Sequence, residues 1–456
     1  MTRRCGALAL LAALLGGCAL APAPAPTGEP SPDAAYVLAG RDGVALVRVA
    51  TRGACPVLRV DGAPLALHAR VEPATVAPRA ALGPAAQPAR FPVRVCEAPL
   101  PSGAREATWD ATRLPVPHAR VDRLVVLGDT GCRLSAFALQ DCDDATRWPF
   151  AAIARAAAAE RPDLVLHVGD YHDREAPCAA AARCAGSPWG YGWDAWSADF
   201  FEPAAPLLAA APWVFVRGNH EECARAGQGW FRFLDAAPWT SERSCDWPGQ
   251  DDLADDSEPY AVPLGGGSRL VVFDSSIAGN AALDVRRPRD ARIFNAYVRQ
   301  LRRVDALAAA PGETLFASHH PVLGFAPGGP NGWYGGNPAL VAALRALHAD
   351  AYFPPGVSAA LHGHVHLFQA ISFATPQPPT IVAGNGGDRV DAPFGPAFPG
   401  DASPAPGAKV AAFAWSHSFG YLVMDRMPGG WNVTAKRVDG SILRRCALIA
   451  RTIGCR

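Results

Sequence analysis

The chain has 456 residues, enough for roughly two or three domains of ordinary size, and 50% of its residues are hydrophobic. That composition excludes a disordered chain and provides enough apolar side chains for a large buried core. Its 42 Lys and Arg residues balance 42 Asp and Glu residues, so the sequence lacks the basic excess that is typical of nucleic-acid-binding proteins.

The N-terminus has the features of an export signal. Arg3 and Arg4 precede an apolar run, Gly6 to Leu15, that is too short to span a bilayer. Two glycines and Cys18 follow, and small residues directly before a cysteine resemble a bacterial lipoprotein signal. The resemblance makes residues 1–18 a lipoprotein signal peptide with a lipid on Cys18. It implies an exported protein anchored at the periplasmic face of the outer membrane or at the cell surface. A plain secretory signal with an incidental cysteine is the alternative.

Two segments separate this signal from the rest of the chain. Residues 19–33 are rich in Ala and Pro, which predicts an extended tether. Residues 34–117 contain short β-type runs between Pro, Gly and Asp residues, which predicts a small all-β domain, a sandwich. No cluster of metal-binding or catalytic residue types occurs in it, so we expect a spacer or a wall of a cleft.

Strands alternate with helices from residue 118 to the C-terminus at 456, which predicts an α/β domain. The predicted strands are Val121–Leu127, Leu164–Val168, Trp213–Val216, Arg269–Phe273, Thr314–Ser318, Ala359–Leu361, 367–373, 379–383 and 420–424. The predicted helices are Trp148–Glu160, Asp194–Ala211, 289–309 and Pro338–His348.

The cysteines agree with export. Ten of the twelve remain beyond Cys18, and they fall into neighbouring couples. Disulfides of this local kind suit an oxidising compartment, and the zinc alternative lacks any CxxC pair. The couples are Cys55 with Cys96, Cys132 with Cys142, Cys178 with Cys184, Cys223 with Cys245, and Cys446 with Cys455.

Five polar segments follow predicted strands, and each contains or adjoins a glycine or serine turn. They are Gly128-Asp129-Thr130-Gly131, Gly169-Asp170-Tyr171-His172-Asp173, Gly218-Asn219-His220-Glu221, Ser318-His319-His320-Pro321 and Gly363-His364-Val365-His366. Ligands of open α/β sheets bind at the carboxyl ends of strands. Eight of the 12 His residues lie in or beside these segments. Asp, Asn and His without Cys suit Fe, Mn or Zn in a sphere of nitrogen and oxygen ligands.

Each segment taken alone is a weak signal, but the five in this order resemble the calcineurin-like metallophosphoesterase superfamily, in its purple acid phosphatase-like branch. The resemblance covers about residues 120–370. It implies a four-layer α/β/β/α sandwich with a small N-terminal all-β domain, and two metal ions that activate a hydroxide for attack on a phosphate ester.

The resemblance also implies roles for individual residues. Asp129 and His366 would bind the first metal ion, Asp170 would bridge both ions, and the second ion would take the remaining ligands, Asn219, His319 and His364. His220 would contact the phosphate and protonate the leaving oxygen. His172, Asp173 and His320 are candidates for further ligands or for supports of the ligands, and Tyr171 and Arg174 are candidate phosphate contacts.

The chain departs from the family in two places. Gly131 stands where many relatives have a His ligand, as in purple acid phosphatases, and those enzymes use a Tyr at the position of Asp173. We therefore expect Asp173 or His172 to serve the first metal ion, or that ion to bind weakly. The stretch from Gly169 to Arg174 also resembles protein serine/threonine phosphatases, although the first segment lacks their His.

Two further sequence features lie outside the five polar segments. Gly384-Asn385-Gly386-Gly387 follows a predicted strand without the Lys-Ser/Thr of a P-loop. A plain turn is expected there, and a segment that lines the pocket is the alternative. His417 is expected to be a surface or core residue.

The predicted function is that of a metal-dependent phosphomonoesterase or phosphodiesterase acting on a small phosphate ester. The alternative is a non-catalytic binding or scaffold lipoprotein on a degraded phosphatase fold, which only the missing first-metal ligand favours. Beyond the N-terminal run, no stretch of the sequence is apolar for the ~18 residues that a membrane span needs.

Overall fold

The structure, a computed structural model, describes residues 34–79, 86–110, 112–136, 138–329, 332–395 and 402–456. The predicted signal peptide, the lipidated Cys18 and the tether lie outside the described residues. Among the described residues no helix is long and apolar enough to cross a bilayer.

The N-terminal segment is rich in strands, as expected. Its strands are β1 (Ala34–Ala39), β2 (Ala45–Thr51), β3 (Val57–Val60), β4 (Ala63–Ala66), β5 (His68–Val71), β6 (Ala74–Val76), β7 (Ala89–Phe91), β8 (Arg94–Pro99), β9 (Ala107–Trp109) and β10 (Thr112–Leu114). Strands β3, β4, β9 and β10 form a four-stranded sheet, and β6 pairs with β7.

The next segment carries three parallel strands that are buried on both faces. It contains β11 (Arg123–Leu127), α1 (Phe150–Ala159), β12 (Leu164–His167), α2 (Ala181–Cys184), α3 (Trp193–Trp196), α4 (Glu202–Leu208), β13 (Trp213–Phe215), α5 (Gly227–Phe233) and α6 (Asp251–Ala254). Burial on both faces explains why these strands are continuous apolar runs in the sequence. The helix expected over 194–211 is instead α3 and α4 joined by a π-helical turn, Ser197–Phe201.

The rest of the chain builds a second sheet and then returns to the first. Its elements are β14 (Tyr260–Gly265), β15 (Ser268–Val272), α7 (Pro288–Ala308), β16 (Thr314–Ala317), β17 (Ala326–Pro327), β18 (Trp333–Tyr334), α8 (Pro338–His348), β19 (Val357–His362), β20 (Phe368–Phe373), β21 (Thr380–Ala383), β22 (Val410–Ser416), β23 (Gly420–Met427), β24 (Gly430–Arg437), β25 (Ile442–Ile449) and β26 (Thr452–Cys455). Short 3₁₀ turns occur at Arg41–Gly43, Asn219–Glu221, Ser241–Arg243, Pro248–Gln250 and Ala349–Ala351.

Two large sheets pack face to face. The first has eleven strands in the order β26-β25-β24-β23-β11-β12-β13-β1-β2-β8-β5, and the second has seven in the order β14-β15-β16-β19-β21-β20-β22. Val126 and Leu166 of the first sheet share one apolar cluster with Leu315 and Leu361 of the second. Helices α1, α4 and α5 cover the outer face of the first sheet, and α7 and α8 cover that of the second. The expected α/β/β/α sandwich is therefore confirmed.

The predicted boundary after residue 117 does not separate two domains. Strand β1 pairs in parallel with β13, so β1, β2, β8 and β5 extend the eleven-stranded sheet, and Pro32–Arg456 is one compact unit. The N-terminal strands keep a local core of their own, which includes Val47, Leu58 and Trp109. Alternation in the sequence identifies strands but not their partners, which is why this continuity was not predicted.

All five predicted cysteine couples form disulfides. They are Cys55–Cys96, Cys132–Cys142, Cys178–Cys184, Cys223–Cys245 and Cys446–Cys455.

Candidate metal centre

The five polar segments meet at one edge of the sandwich. The segments of Asp129, Asp170 and Asn219 follow the parallel strands β11, β12 and β13, and those of His319 and His364 follow β16 and β19. Because all these strands end at the same edge of their sheets, their carboxyl ends place the side chains together.

Four side chains form the second-metal group, Asp170, Asn219, His319 and His364. His319 Nε2 lies 3.1 Å from Asp170 Oδ2 and 3.0 Å from Asn219 Oδ1, and His364 Nδ1 lies 3.0 Å from the same Asn219 oxygen. Ligand atoms of Asp170, His319 and His364 all lie within 4.8 Å of one another. The sequence assigned these four residues to one ion, and the structure brings them together.

Hydrogen bonds orient the two imidazoles of this group. His319 Nδ1 lies 2.8 Å from the carbonyl oxygen of Val168, so its proton is held there and the Nε2 lone pair faces the group. His364 Nε2 lies 3.3 Å from Asn280 Oδ1, which leaves Nδ1 facing Asn219. Asn280 was not singled out in the sequence, since it stands in no motif.

Asp129 and His366 form the first-metal group. His366 Nε2 lies 3.3 Å from Asp129 Oδ1, and His366 Nδ1 lies 2.9 Å from the carbonyl oxygen of Arg389. The Asp129 carboxylate also accepts the backbone N–H of His364, with both oxygens at 3.0 Å. This hydrogen bond connects the first-metal group to the turn that carries His364, a member of the second-metal group.

Three of these residues have left-handed backbone conformations, Asp129 (φ 56°), Asp170 (φ 58°) and His364 (φ 66°). Such conformations cost about 1–3 kcal/mol each in non-glycine residues and persist where surrounding contacts enforce them. Glycine neighbours make the close approach possible: a Cβ on Gly218 would overlap Asp170, and one on Gly363 would lie 2.5 Å from Asp129 Oδ2.

Glu221 holds the second and third segments in register. Its buried carboxylate accepts four backbone N–H groups, from Asp170 (3.1 Å), Tyr171 (2.9 Å), His172 (3.2 Å) and Gly218 (3.0 Å). The sequence placed Glu221 in a motif without a role. Its four bonds show that it positions the Asp170 and Asn219 turns.

The carboxylate of Asp173 orients the His220 ring. His220 Nδ1 lies 3.0 Å from Asp173 Oδ1, while Nε2 faces Asp170 Oδ2 at 3.8 Å. Burial and the neighbouring Arg225 lower the pKa of His220, but the carboxylates of Asp173, Asp170 and Glu175 outweigh them and raise it to about 10. The acids therefore favour a protonated His220.

Asp173, which was expected to serve the first metal ion, instead supports His220 and pairs with Arg133 in the structure. Oδ1 faces His220, and Oδ2 accepts Arg133 Nε at 3.0 Å. His172 is also turned away: its Nε2 lies 2.9 Å from the carbonyl oxygen of Gly190, and its ring packs between Tyr191 and Trp196.

The two predicted phosphate contacts, Tyr171 and Arg174, are buried in the structure. Tyr171 is fully buried, and its hydroxyl donates to the carbonyl oxygen of Val216 at 2.9 Å. Arg174 is 3% exposed and pairs with Asp199 at 2.7 Å. The π-helical turn aims Asp199 at this arginine and at the N–H groups of Cys132 and Asp173, a use of π geometry that is common near functional sites.

His320 and His417 differ in their relation to the site. The His320 ring lies 4.1 Å from the His364 ring, and its Nδ1 lies 3.2 Å from Ser275 Oγ, so His320 packs against a ligand instead of joining the group. His417 is exposed and lies beside Trp415.

A cleft with two lobes opens at this edge. One lobe, a cavity of about 360 Å³, has a mixed lining that includes the charged Arg225 and Arg289 and the apolar Leu283. The other, of about 610 Å³, is lined by apolar residues that include Phe325 and Tyr334. His364 and Asn280 line both cavities, so the lobes meet above the second-metal group.

The donor set fits metal ions. It consists of carboxylate, amide and imidazole groups that converge in pairs 3.0 to 3.3 Å apart, which suits hard or borderline divalent ions. Two further groups of the described residues have the spacing of metal ligands. Cys223, Cys245 and Asp255 are excluded as a metal site because the two cysteines form a disulfide, and Asp173 and Glu175 are the acids that pair with His220.

Comparison with known proteins agrees with this geometry. The family model for calcineurin-like phosphoesterases matches residues 122–368, more than half of the chain. No curated protein matched the sequence.

Two solved structures have a similar fold. The purple acid phosphatase PPD1 from yellow lupin (Lupinus luteus) seeds has a TM-score of 0.53 at 15% identity, over 90% of this chain and 72% of that one. PhoD has a TM-score of 0.52 at 12% identity, over 94% of this chain and 93% of that one. The chain therefore belongs to the calcineurin-like phosphoesterase family and is a metal-dependent phosphoric ester hydrolase.

Proposed function

We propose that this hydrolase holds two metal ions, Fe, Mn or Zn, and cleaves a phosphodiester. The observation that carries the two-metal part is the presence of two donor groups at one sheet edge, Asp129 with His366 and Asn219 with His319 and His364. Asp170 would lie between the ions. When bound, two such ions lower the pKa of a water molecule and withdraw charge from the phosphoryl oxygens.

Residues of the chain itself supply the proton for the departing oxygen and orient the side chain that carries it. His220 Nε2, the ring nitrogen that faces Asp170 at 3.8 Å, would carry a proton and donate it to the departing ester oxygen. Asp173 accepts from Nδ1 at 3.0 Å and so fixes the ring orientation. Arg133 in turn holds Asp173 through its second oxygen, at 3.0 Å.

The two lobes of the cleft support a diester over a monoester. A phosphorus atom held above His364 would lie beside both cavities, since His364 lines each of them. A diester carries a group on each side of phosphorus, and both lobes would then be used. A monoester would leave one of them without a role.

The test uses purified protein without residues 1–18, loaded with Mn, Fe or Zn. We expect metal-dependent turnover of bis-p-nitrophenyl phosphate that exceeds turnover of p-nitrophenyl phosphate. Asp170→Ala and His220→Ala should abolish it, whereas His417→Ala, an exposed histidine outside the site, should not. Faster cleavage of the monoester would refute the diester assignment. No bound metal and no turnover would favour a binding or scaffold role.

We also propose that the chain is exported and anchored by a lipid on Cys18. Five disulfides support an oxidising compartment. Labelling of cells with radioactive palmitate should mark the wild-type chain and not a Cys18→Ala variant, whose product should appear in the soluble periplasmic fraction. Equal labelling of both chains would refute the anchor.

A further inference from the structure

The turn after β21 brings an unexpected carboxylate to the first-metal group. The backbone N–H of Asp388, the residue after this turn, donates to the carbonyl oxygen of Asp129 at 2.8 Å, and that of Gly386 donates to Gly128 at 3.0 Å. A Cβ at any of three glycines of the turn would overlap a neighbouring carbonyl oxygen. The three glycines are Gly384, Gly386 and Gly387, and their neighbours are Val365, Gly128 and Thr130. Glycine therefore permits the approach that delivers Asp388.

His366 Nε2 faces two carboxylates, at distances close to those between neighbouring ligands of one ion. His366 Nε2 lies 3.3 Å from Asp129 Oδ1 and 3.5 Å from Asp388 Oδ2. Ligand atoms about 2.1 Å from a common metal ion are ~3.0–3.4 Å apart when they are adjacent in its coordination sphere. His366 Nδ1 is already held by the carbonyl oxygen of Arg389, so Nε2 is the nitrogen that faces the two carboxylates.

Arg133 forms an ion pair with the buried carboxylate of Asp388. Asp388 is 3% exposed, and its Oδ2 pairs with Arg133 Nη2. Ligating carboxylates are commonly hydrogen-bonded by such outer partners. The arginine also binds Asp173, so it connects Asp388 with the acid that holds His220.

We propose that Asp388 is a ligand of the first metal ion, in place of the ligand that the chain lacks at Gly131 and at Asp173. The inference rests on the two-metal function proposed above. It gives the glycine-rich turn a role that a plain turn does not have, and it removes the main reason for considering the site degraded.

The decisive variant is Asp388→Cys, loaded with Co²⁺. The ten cysteines of the mature chain beyond Cys18 are paired in disulfides, so the new thiol would be the free one. A thiolate bound to Co²⁺ gives a charge-transfer absorption in the near ultraviolet, which we expect for this variant. The matched control is Asp391→Cys, because Asp391 accepts only the backbone N–H of His366, at 2.9 Å, and no such band is expected from it.

Metal content provides a second readout that does not depend on activity. The wild-type chain should bind two ions, and Asp388→Asn should bind one of them at least about 100-fold more weakly, a greater loss than most outer partners cause. Asp391→Asn should retain both. Two ions bound with unchanged affinity in Asp388→Asn, or no band in a two-ion Asp388→Cys protein, would overturn this inference alone. Fewer than two ions in the wild-type chain would overturn the two-metal function itself.

Discussion

Glu221 offers a sharp test of how the metal centre is held, because one side chain serves four backbone donors. Oε1 accepts the N–H groups of Tyr171 and His172, and Oε2 accepts those of Asp170 and Gly218. The substitution Glu221→Gln keeps the shape of the side chain and replaces one oxygen by an NH₂ group. In either orientation of the amide, two backbone N–H groups then face a donor.

The expected loss of stability follows from the two backbone N–H groups that lose their acceptor. A buried donor left without an acceptor costs about 1–3 kcal/mol, so Glu221→Gln should lower the free energy of unfolding by about 2–6 kcal/mol. The same loss releases the Asp170 and Asn219 turns. Misplacement of a reacting group by about 1 Å costs on the order of 100-fold in rate, and we expect a loss of activity of that size.

Urea denaturation of the metal-free protein measures the first effect, and turnover of the metal-loaded protein measures the second. The control is Glu258→Gln, since the Glu258 side chain is 80% exposed and should change neither quantity. Typical surface variants change the free energy of unfolding by no more than about 0.5 kcal/mol. If the change for Glu221→Gln is that small, the carboxylate does not hold the turns and the reasoning fails.

Three further predictions use the same structure. Asp173→Asn should lower kcat by about 100-fold or more with metal content unchanged, because it releases His220 without removing a ligand; a loss of metal would contradict the role given to Asp173. Gly218→Ala should abolish binding of the second ion, measured by metal analysis, because its Cβ would overlap Asp170. Burial raises the pKa of Glu97, but Arg48 and Arg70 outweigh it and hold that pKa below its usual 4.5. Glu97→Gln should therefore lower the free energy of unfolding by about 3 kcal/mol at pH 7. Denaturation at several pH values should show that this difference from the wild-type chain shrinks as the pH falls below 4.5. A difference that stays constant with pH would contradict the ion-pair assignment.

The sequence was sufficient to predict the fold class, the disulfide couples and the gathering of the polar segments. Each of these depends on local order along the chain: apolar strands alternate with helices, and short polar segments follow the strands. Asn219 and His319 are 100 positions apart, yet both follow strands that end at one edge, so their meeting could be expected.

The direction of individual side chains was not predictable in this way. Asp173 and Arg174 stand directly after a ligand segment, but a π-helical turn distant in sequence supplies Asp199, which takes Arg174 into the interior. Asp388 shows the converse. It stands after a turn with no catalytic motif, and only the packing of that turn on Gly128 brings its carboxylate to His366.

The N-terminal strands matter to the metal centre for a reason that the sequence also concealed. Tyr36 donates its hydroxyl to the carbonyl oxygen of Phe233 at 2.6 Å, and the fully buried Arg48 donates to the same oxygen at 2.7 Å. Both bonds fall on the last residue of α5, the helix that follows the Asn219–Glu221 turn. The N–H of Ala226, just before α5, in turn donates to the carbonyl oxygen of His220 at 3.0 Å. A continuous set of hydrogen bonds therefore joins β1 and β2 to the turn that carries Asn219 and His220, which makes the N-terminal segment a part of the catalytic domain and not a spacer in front of it.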